Sequence, residues 1–162
     1  MHEFRKVIEL PRLVSSPLEL ALAIHPDDDA DRHALLEHGW RLTDPTTAAT
    51  PDGFREYVQR SGAEFSVAQG VYVDMNSGWF SDRTVRYLAS GRPALVQETG
   101  FSKYLPTGLG IVAFRTLAEA ARGAADVAQR WAEHAAAARE IAQRHFASDT
   151  VLSRFCDQVG ID

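Results

Sequence analysis

Two stretches of this chain concentrate the residue types that bind anions. The first runs from Gln69 to Arg83 and contains Asn76-Ser77-Gly78, then Ser81-Asp82-Arg83 where a helix is expected to begin. Unpaired N–H groups at a helix start, small residues that let a ligand approach, and a guanidinium together make a phosphate site. A second reading uses the same residues structurally: Ser81 caps the helix, Arg83 pairs with a carboxylate, and Trp79 and Phe80 fill core. The second stretch, Gln97 to Gly110, offers Glu98, Thr99, Gly100 and Lys103. Here Lys103, hydroxyls and backbone donors would meet an anion, and Glu98 would accept from ribose hydroxyls. A surface loop with ordinary turn glycines explains the same composition.

Other chemistry has thinner support. His25, after an apolar run, and Asp82, beside Arg83, are candidates for polar contacts to a substrate or for proton transfer, as is Glu98. The acidic cluster Asp27-Asp28-Asp29-Asp31 lacks the spacing of a calcium loop and suits the first turn of a helix. His33 and His38 do not share a helix face as a zinc pair would. His134 and His145 lie in a long helical segment where solvent-facing or capping roles dominate, and no metal site is expected. There is no G-x-S-x-G elbow, Walker loop or G-x-G-x-x-G fingerprint, and Cys156 reads as a small core residue of an apolar helix.

The elements that must position these loops are short and punctuated by Gly and Pro. Within Phe4–Leu13, apolar side chains at Phe4, Val7, Ile8 and Leu10 predict a short helix ending at Pro11. A strand buried on both faces is expected over Leu18–Ile24, broken by His25-Pro26, and an acidic-started helix stops at Gly39. Trp40–Asp44 reads as a second strand, Thr50-Pro51 starts a helix that stops near Gly62, and Ala63–Ala68 reads as a third strand. A long loop over Gln69–Trp79 then leads to a helix over Ser81–Ser90. Pro93–Gln97 and Ile111–Phe114 complete the strands, with at most one helical turn between them. Thr116 and Glu119 form a capping box for an Ala-rich helix continuing to Phe146, and Ser148 or Asp149 caps a last helix. This order fits an α/β fold, with an open, mostly parallel sheet, flanking helices and a helical C-terminal region. In such folds ligands bind beyond the carboxyl ends of the strands, where both rich loops begin.

Composition narrows the class. The chain has 162 residues, 45% of them hydrophobic, enough for one domain with an ordinary core. With 17 Lys+Arg against 22 Asp+Glu the formal charge is -5, which argues against generic nucleic-acid binding. A single cysteine excludes an intramolecular disulfide framework. No apolar run approaches the roughly 20 residues needed to span a bilayer, and no signal-peptide stretch follows the first residues. A cytoplasmic location is the expectation.

Several segments carry a resemblance. Ser77-Gly78-Trp79-Phe80-Ser81-Asp82-Arg83, Tyr87-Leu88-Ala89-Ser90-Gly91-Arg92-Pro93, Gln97-Glu98-Thr99-Gly100, Leu105-Pro106-Thr107-Gly108 and Phe114-Arg115-Thr116 are similar, in order, to the C-terminal, donor-binding half of bacterial GT-B glycosyltransferases. So are Ala21–Pro26 and Gly39–Pro45. The resemblance implies one Rossmann-like domain over residues 1–162 that binds a nucleotide-diphosphate sugar and requires no cofactor. The diphosphate would lie at Ser77–Arg83, and the ribose and sugar beside Glu98–Gly110. Three departures accompany it. A glutamate pair common in retaining members would fall on Gly78 and Arg86, and a frequent Gly-Glu-Gly is Gly108-Leu109-Gly110 here. The acceptor-binding N-terminal half is not represented. The resemblance thus implies either a donor domain that works with a separate acceptor-binding domain or protein, or a non-catalytic accessory or binding protein. An apolar docking face for the other half would favour self-association.

Overall fold

The computed structural model describes residues 2–25 and 27–161; Pro26 lies outside them. The fold is α/β, with small open parallel sheets flanked by helices. One sheet pairs β1 (Glu19–Ala21) with β2 (Arg41–Thr43), in register Glu19 to Arg41. The other has the order β3 (Glu64–Ser66), β4 (Ala94–Gln97), β5 (Ile111–Phe114), also parallel throughout.

Alternation along β4 explains the layering. Ala94 and Val96 face one core, with Leu88 from α6 (Asp82–Ala89) and Ala138, Ile141 and Ala142 from α8 (Trp131–Phe146). Leu95 faces the other core, with Phe114, Trp40, Leu35, Ala120 of α7 (Leu117–Gln129), and Val7 and Leu10. Gly123 lets α7 lie directly on the sheet, because a Cβ there would sit 2.8 Å from Leu95 Cδ1 and 2.9 Å from Val112 Cγ1. The two faces of the three-stranded sheet are thus covered, as short parallel strands require.

Several expectations are corrected. The first strand is three residues long; Glu19 is exposed and Leu20 and Ala21 are half-buried, because β1 belongs to a two-stranded sheet with few neighbours. Phe4–Leu13 divides into the single-turn helices α1 (His2–Arg5) and α2 (Leu10–Leu13). The 69–79 loop contains α5 (Gly70–Asp74), a turn and a half of helix. The Ala-rich helix breaks at Arg130 (φ -115°, ψ 36°), where Arg130 N–H caps α7 on Asp126 O and the Arg130 side chain folds back onto the Asp126 carboxylate. The last helix, α9 (Ser148–Val159), has Ala147 at its N-cap, so Ser148 and Asp149 both lie inside its first turn.

Cys156 is half-buried on α9, a helix with no buried residue, since Leu152, Phe155 and Val159 on it stay exposed. The expected acidic first turn of α3 (Asp29–Glu37), the Thr50 cap of α4 (Pro51–Arg60) and the Thr116–Glu119 capping box are all present. Among the described residues no helix is long and apolar enough to cross a membrane.

Candidate functional site

The loops that follow β3 and β4 leave the same edge of the sheet, and they lock together there. Gly78 N–H donates to Thr99 O at 2.7 Å, and Thr99 Oγ1 donates to Trp79 O at 2.5 Å. Asn76 lies directly on Gly100: a Cβ at Gly100 would meet Asn76 Oδ1 at 2.7 Å and its carbonyl oxygen at 2.8 Å. Gly100 has φ +98° and Gly78 φ +78°, so both turns use the left-handed freedom of glycine. Asn76, at φ +49°, is the non-glycine residue in that region. The structure therefore brings Asn76, Ser77, Gly78, Thr99 and Gly100 into one ridge. In the first loop Tyr72 and Trp79 stack with centroids 5.1 Å apart and planes 3° from parallel.

The charged candidates are placed differently. Arg83 Nε donates to Glu64 Oε1 at 2.7 Å and Nη2 to Ser66 Oγ at 3.3 Å, so its guanidinium is fastened to β3 while remaining 48% exposed. Ser81 is buried and caps α6, accepting from Arg83 N–H. Glu98 is 4% exposed; its Oε1 accepts from Gly100 N–H at 2.5 Å and its Oε2 lies 3.9 Å from Arg115 Nη2. Glu98 thereby shapes the turn at Gly100. Asp82 is exposed and pairs with Arg86 at 2.8 Å. His25 is exposed, accepts from Asp27 N–H at 3.3 Å and follows β1, which belongs to the other sheet. Lys103, in a 3-10 turn over Phe101–Lys103, is exposed and makes no ion pair among the described residues.

No protein-family model, no curated protein and no solved structure matches the chain.

Further residues at this edge, Glu3, Lys6, Gln97 and Arg115, are not among the sequence-derived site candidates. Glu3 is 7% exposed; its Oε2 accepts from Gln97 Nε2 at 2.7 Å and its Oε1 from Lys6 at 2.5 Å. Gln97 Oε1 accepts in turn from Ala68 N–H, so α1 is hydrogen-bonded to the end of β4, and Gln97 links that end to the chain leaving β3. The Lys6 ammonium is held above the usual lysine range by that hydrogen bond to Glu3. Arg115 leaves β5 with its side chain 66% exposed. Its position directly after a strand is a signal the sequence contained. The Glu3–Gln97 contact had none, because it depends on where α1 docks.

At the opposite end of β5 a cleft of about 490 Å³ opens between Pro106–Leu109 and α8, with Arg130, Glu140, Arg144 and His145 on its rim. Its arginines are already engaged: Arg130 with Asp126 and Arg144 with Glu140. Behind it His134 is fully buried, which corrects the expected solvent-facing or capping role. Gly110 N–H donates to His134 Nδ1 at 3.2 Å, so the ring proton sits on Nε2 and is donated to Asp126 Oδ2 at 3.1 Å. The hydrogen bonds from Arg130, with a further one from His134, hold the Asp126 carboxyl down at about 2. Among the described residues no group of His, Cys, Asp and Glu could hold a metal ion.

Proposed function

We propose that this chain is a nucleotide-sugar-binding domain of the GT-B donor type, a Rossmann-like half that takes part in glycosyl transfer. The observation that carries the reading is the pair of loops locked at the carboxyl edge of β3 and β4, where glycines remove side chains from a ridge flanked by cations. That is the edge at which open parallel sheets bind ligands. Glycosyl transfer develops negative charge on the departing diphosphate, and the exposed cations on hand to stabilise it are Lys103 and, despite its 3.9 Å pairing with Glu98, Arg115. Arg83 contributes at one remove: it remains half exposed, but Glu64 neutralises much of its charge. Asn76 and Ser77, both exposed, would supply polar contacts, while the buried Thr99 and Gly100, with Glu98, would hold the turn that presents them.

A second reading, a non-catalytic binding or accessory protein with the same half-fold, has a specific observation in its favour. The hydrogen bonds found for Ser81, Glu98 and Arg83 go to the protein itself. Calorimetry against UDP, GDP, dTDP and ADP, with their common sugars, separates the two. A ligand at about 100 times its Kd stabilises the fold by about 2.7 kcal/mol. Saturable binding of one nucleotide, weakened by Lys103→Ala and Arg115→Ala, is the expected result. No binding at millimolar nucleotide would replace the donor-domain reading with the accessory one.

A further inference from the structure

Tyr104 closes the 3-10 turn after Gly100 and is 75% exposed. The ring is not loose on the surface. Its Cε2 lies 3.4 Å, and its Cδ2 3.9 Å, from the place a Cβ would occupy on Gly78, so one edge rests on the ridge where the two loops lock. Gly78, at φ +78°, leaves that place empty. The backbone beneath is fixed by Gly78 N–H to Thr99 O and by Tyr104 N–H to Phe101 O at 2.9 Å. A ring seated on a rigid turn and open to solvent offers a stacking surface that loses little freedom when a ligand covers it.

Its neighbours specify the ligand's chemistry. Lys103, adjacent in the chain, carries a positive charge with no ion-pair partner among the described residues, unlike the arginines of the cleft beside α8. Asn76, across the ridge, is exposed and presents an amide that both donates and accepts. An aromatic face, an amide and an unpaired ammonium match a planar heterocycle attached to phosphates. We propose that Tyr104 is the stacking face for the base of a nucleoside diphosphate, with Asn76 at the base edge and Lys103 toward the phosphates. This rests on the reading that the edge binds a nucleotide, and it names the part of the ligand that docks here.

Calorimetry with the same nucleoside diphosphates and with inorganic pyrophosphate tests the assignment on wild type, Tyr104→Ala and Tyr104→Phe. For the nucleotide that wild type binds, Tyr104→Ala should raise Kd about tenfold, and Tyr104→Phe should stay within about twofold. Pyrophosphate affinity should be the same in all three. Because the ring is exposed, thermal unfolding of Tyr104→Ala should match wild type, so a change in Kd reports the contact. An unchanged nucleotide Kd in Tyr104→Ala overturns the stacking role and leaves the nucleotide site standing. An equal loss for nucleotide and pyrophosphate overturns it too, since the change would then lie in the loop. If wild type binds none of the nucleotides, the functional reading fails and this inference falls with it.

Discussion

Replacing Arg83 with alanine should weaken the fold before it weakens any ligand. Glu64 is 5% exposed, its Oε1 is bonded to Arg83 Nε at 2.7 Å, and its Oε2 has no hydrogen-bond partner among the described residues. Without the guanidinium, a carboxylate is left in the interior with no counter-charge. Breaking a fully buried pair costs about 3–5 kcal/mol. Arg83 is half exposed, so water reaches part of the vacated space, and about 2–3 kcal/mol is the expected loss. In a chain of this size that lowers Tm by roughly 5–10 °C.

Urea unfolding of Arg83→Ala, Glu64→Gln and the double variant measures it. In the Glu64→Gln background, Arg83→Ala should cost less than about 1 kcal/mol, because the neutral amide no longer needs the cation. Additive effects in the double variant, or wild-type stability in Arg83→Ala, would refute the pairing as a structural element. The result also governs how ligand data are read: a weaker ligand in Arg83→Ala counts as a lost contact only at a temperature where the variant is fully folded.

Two further outcomes are expected. A Cβ at Gly110 would lie 2.7 Å from Ala138 N, with φ at +77°, so Gly110→Ala should cost about 3 kcal/mol or more. Gly62→Ala, with nothing within 4 Å, should stay within about 0.5 kcal/mol in the same urea titration, and equal midpoints would sink the close-approach account. The Asp126 carboxyl, held at about 2 in the folded chain chiefly by Arg130, binds its proton less readily there than when unfolded. Its contribution is therefore complete above about pH 4 and disappears as the pH falls toward 2. Asp126→Asn should flatten the urea midpoint over that interval; a curve parallel to wild type would show that the network does not stabilise the fold.

The legible parts of this fold were those written in neighbouring residues. Thr50-Pro51, the Thr116–Glu119 box and the glycines at 39 and 91 start or stop helices through contacts within a turn, and each is visible as a short motif. The strands around Ala94–Gln97 and Ile111–Phe114 announced themselves because they are apolar on both faces. What stayed hidden depends on which elements meet. Arg83 looked equally suited to a phosphate and to a carboxylate until β3 placed Glu64 beside it. His134 read as a surface residue because its partners, Gly110 and Asp126, come from a different loop and a different helix. The break at Arg130 was masked by an alanine-rich composition that favours uninterrupted helix on either side of it.

The hydrogen bond from Gln97 to Glu3 joins residues 94 positions apart. Closing so long a segment is costly in entropy, and the contact is expected to form once the end of β4 is there to receive it. A contact made after the folding transition state adds its stabilisation to how slowly the native state opens, so Glu3→Gln should speed unfolding and leave the refolding rate unchanged. On that expectation α1 acts as a clasp on the loop edge, one that sets how long the edge stays closed and leaves the speed of assembly to the helices and strands behind it.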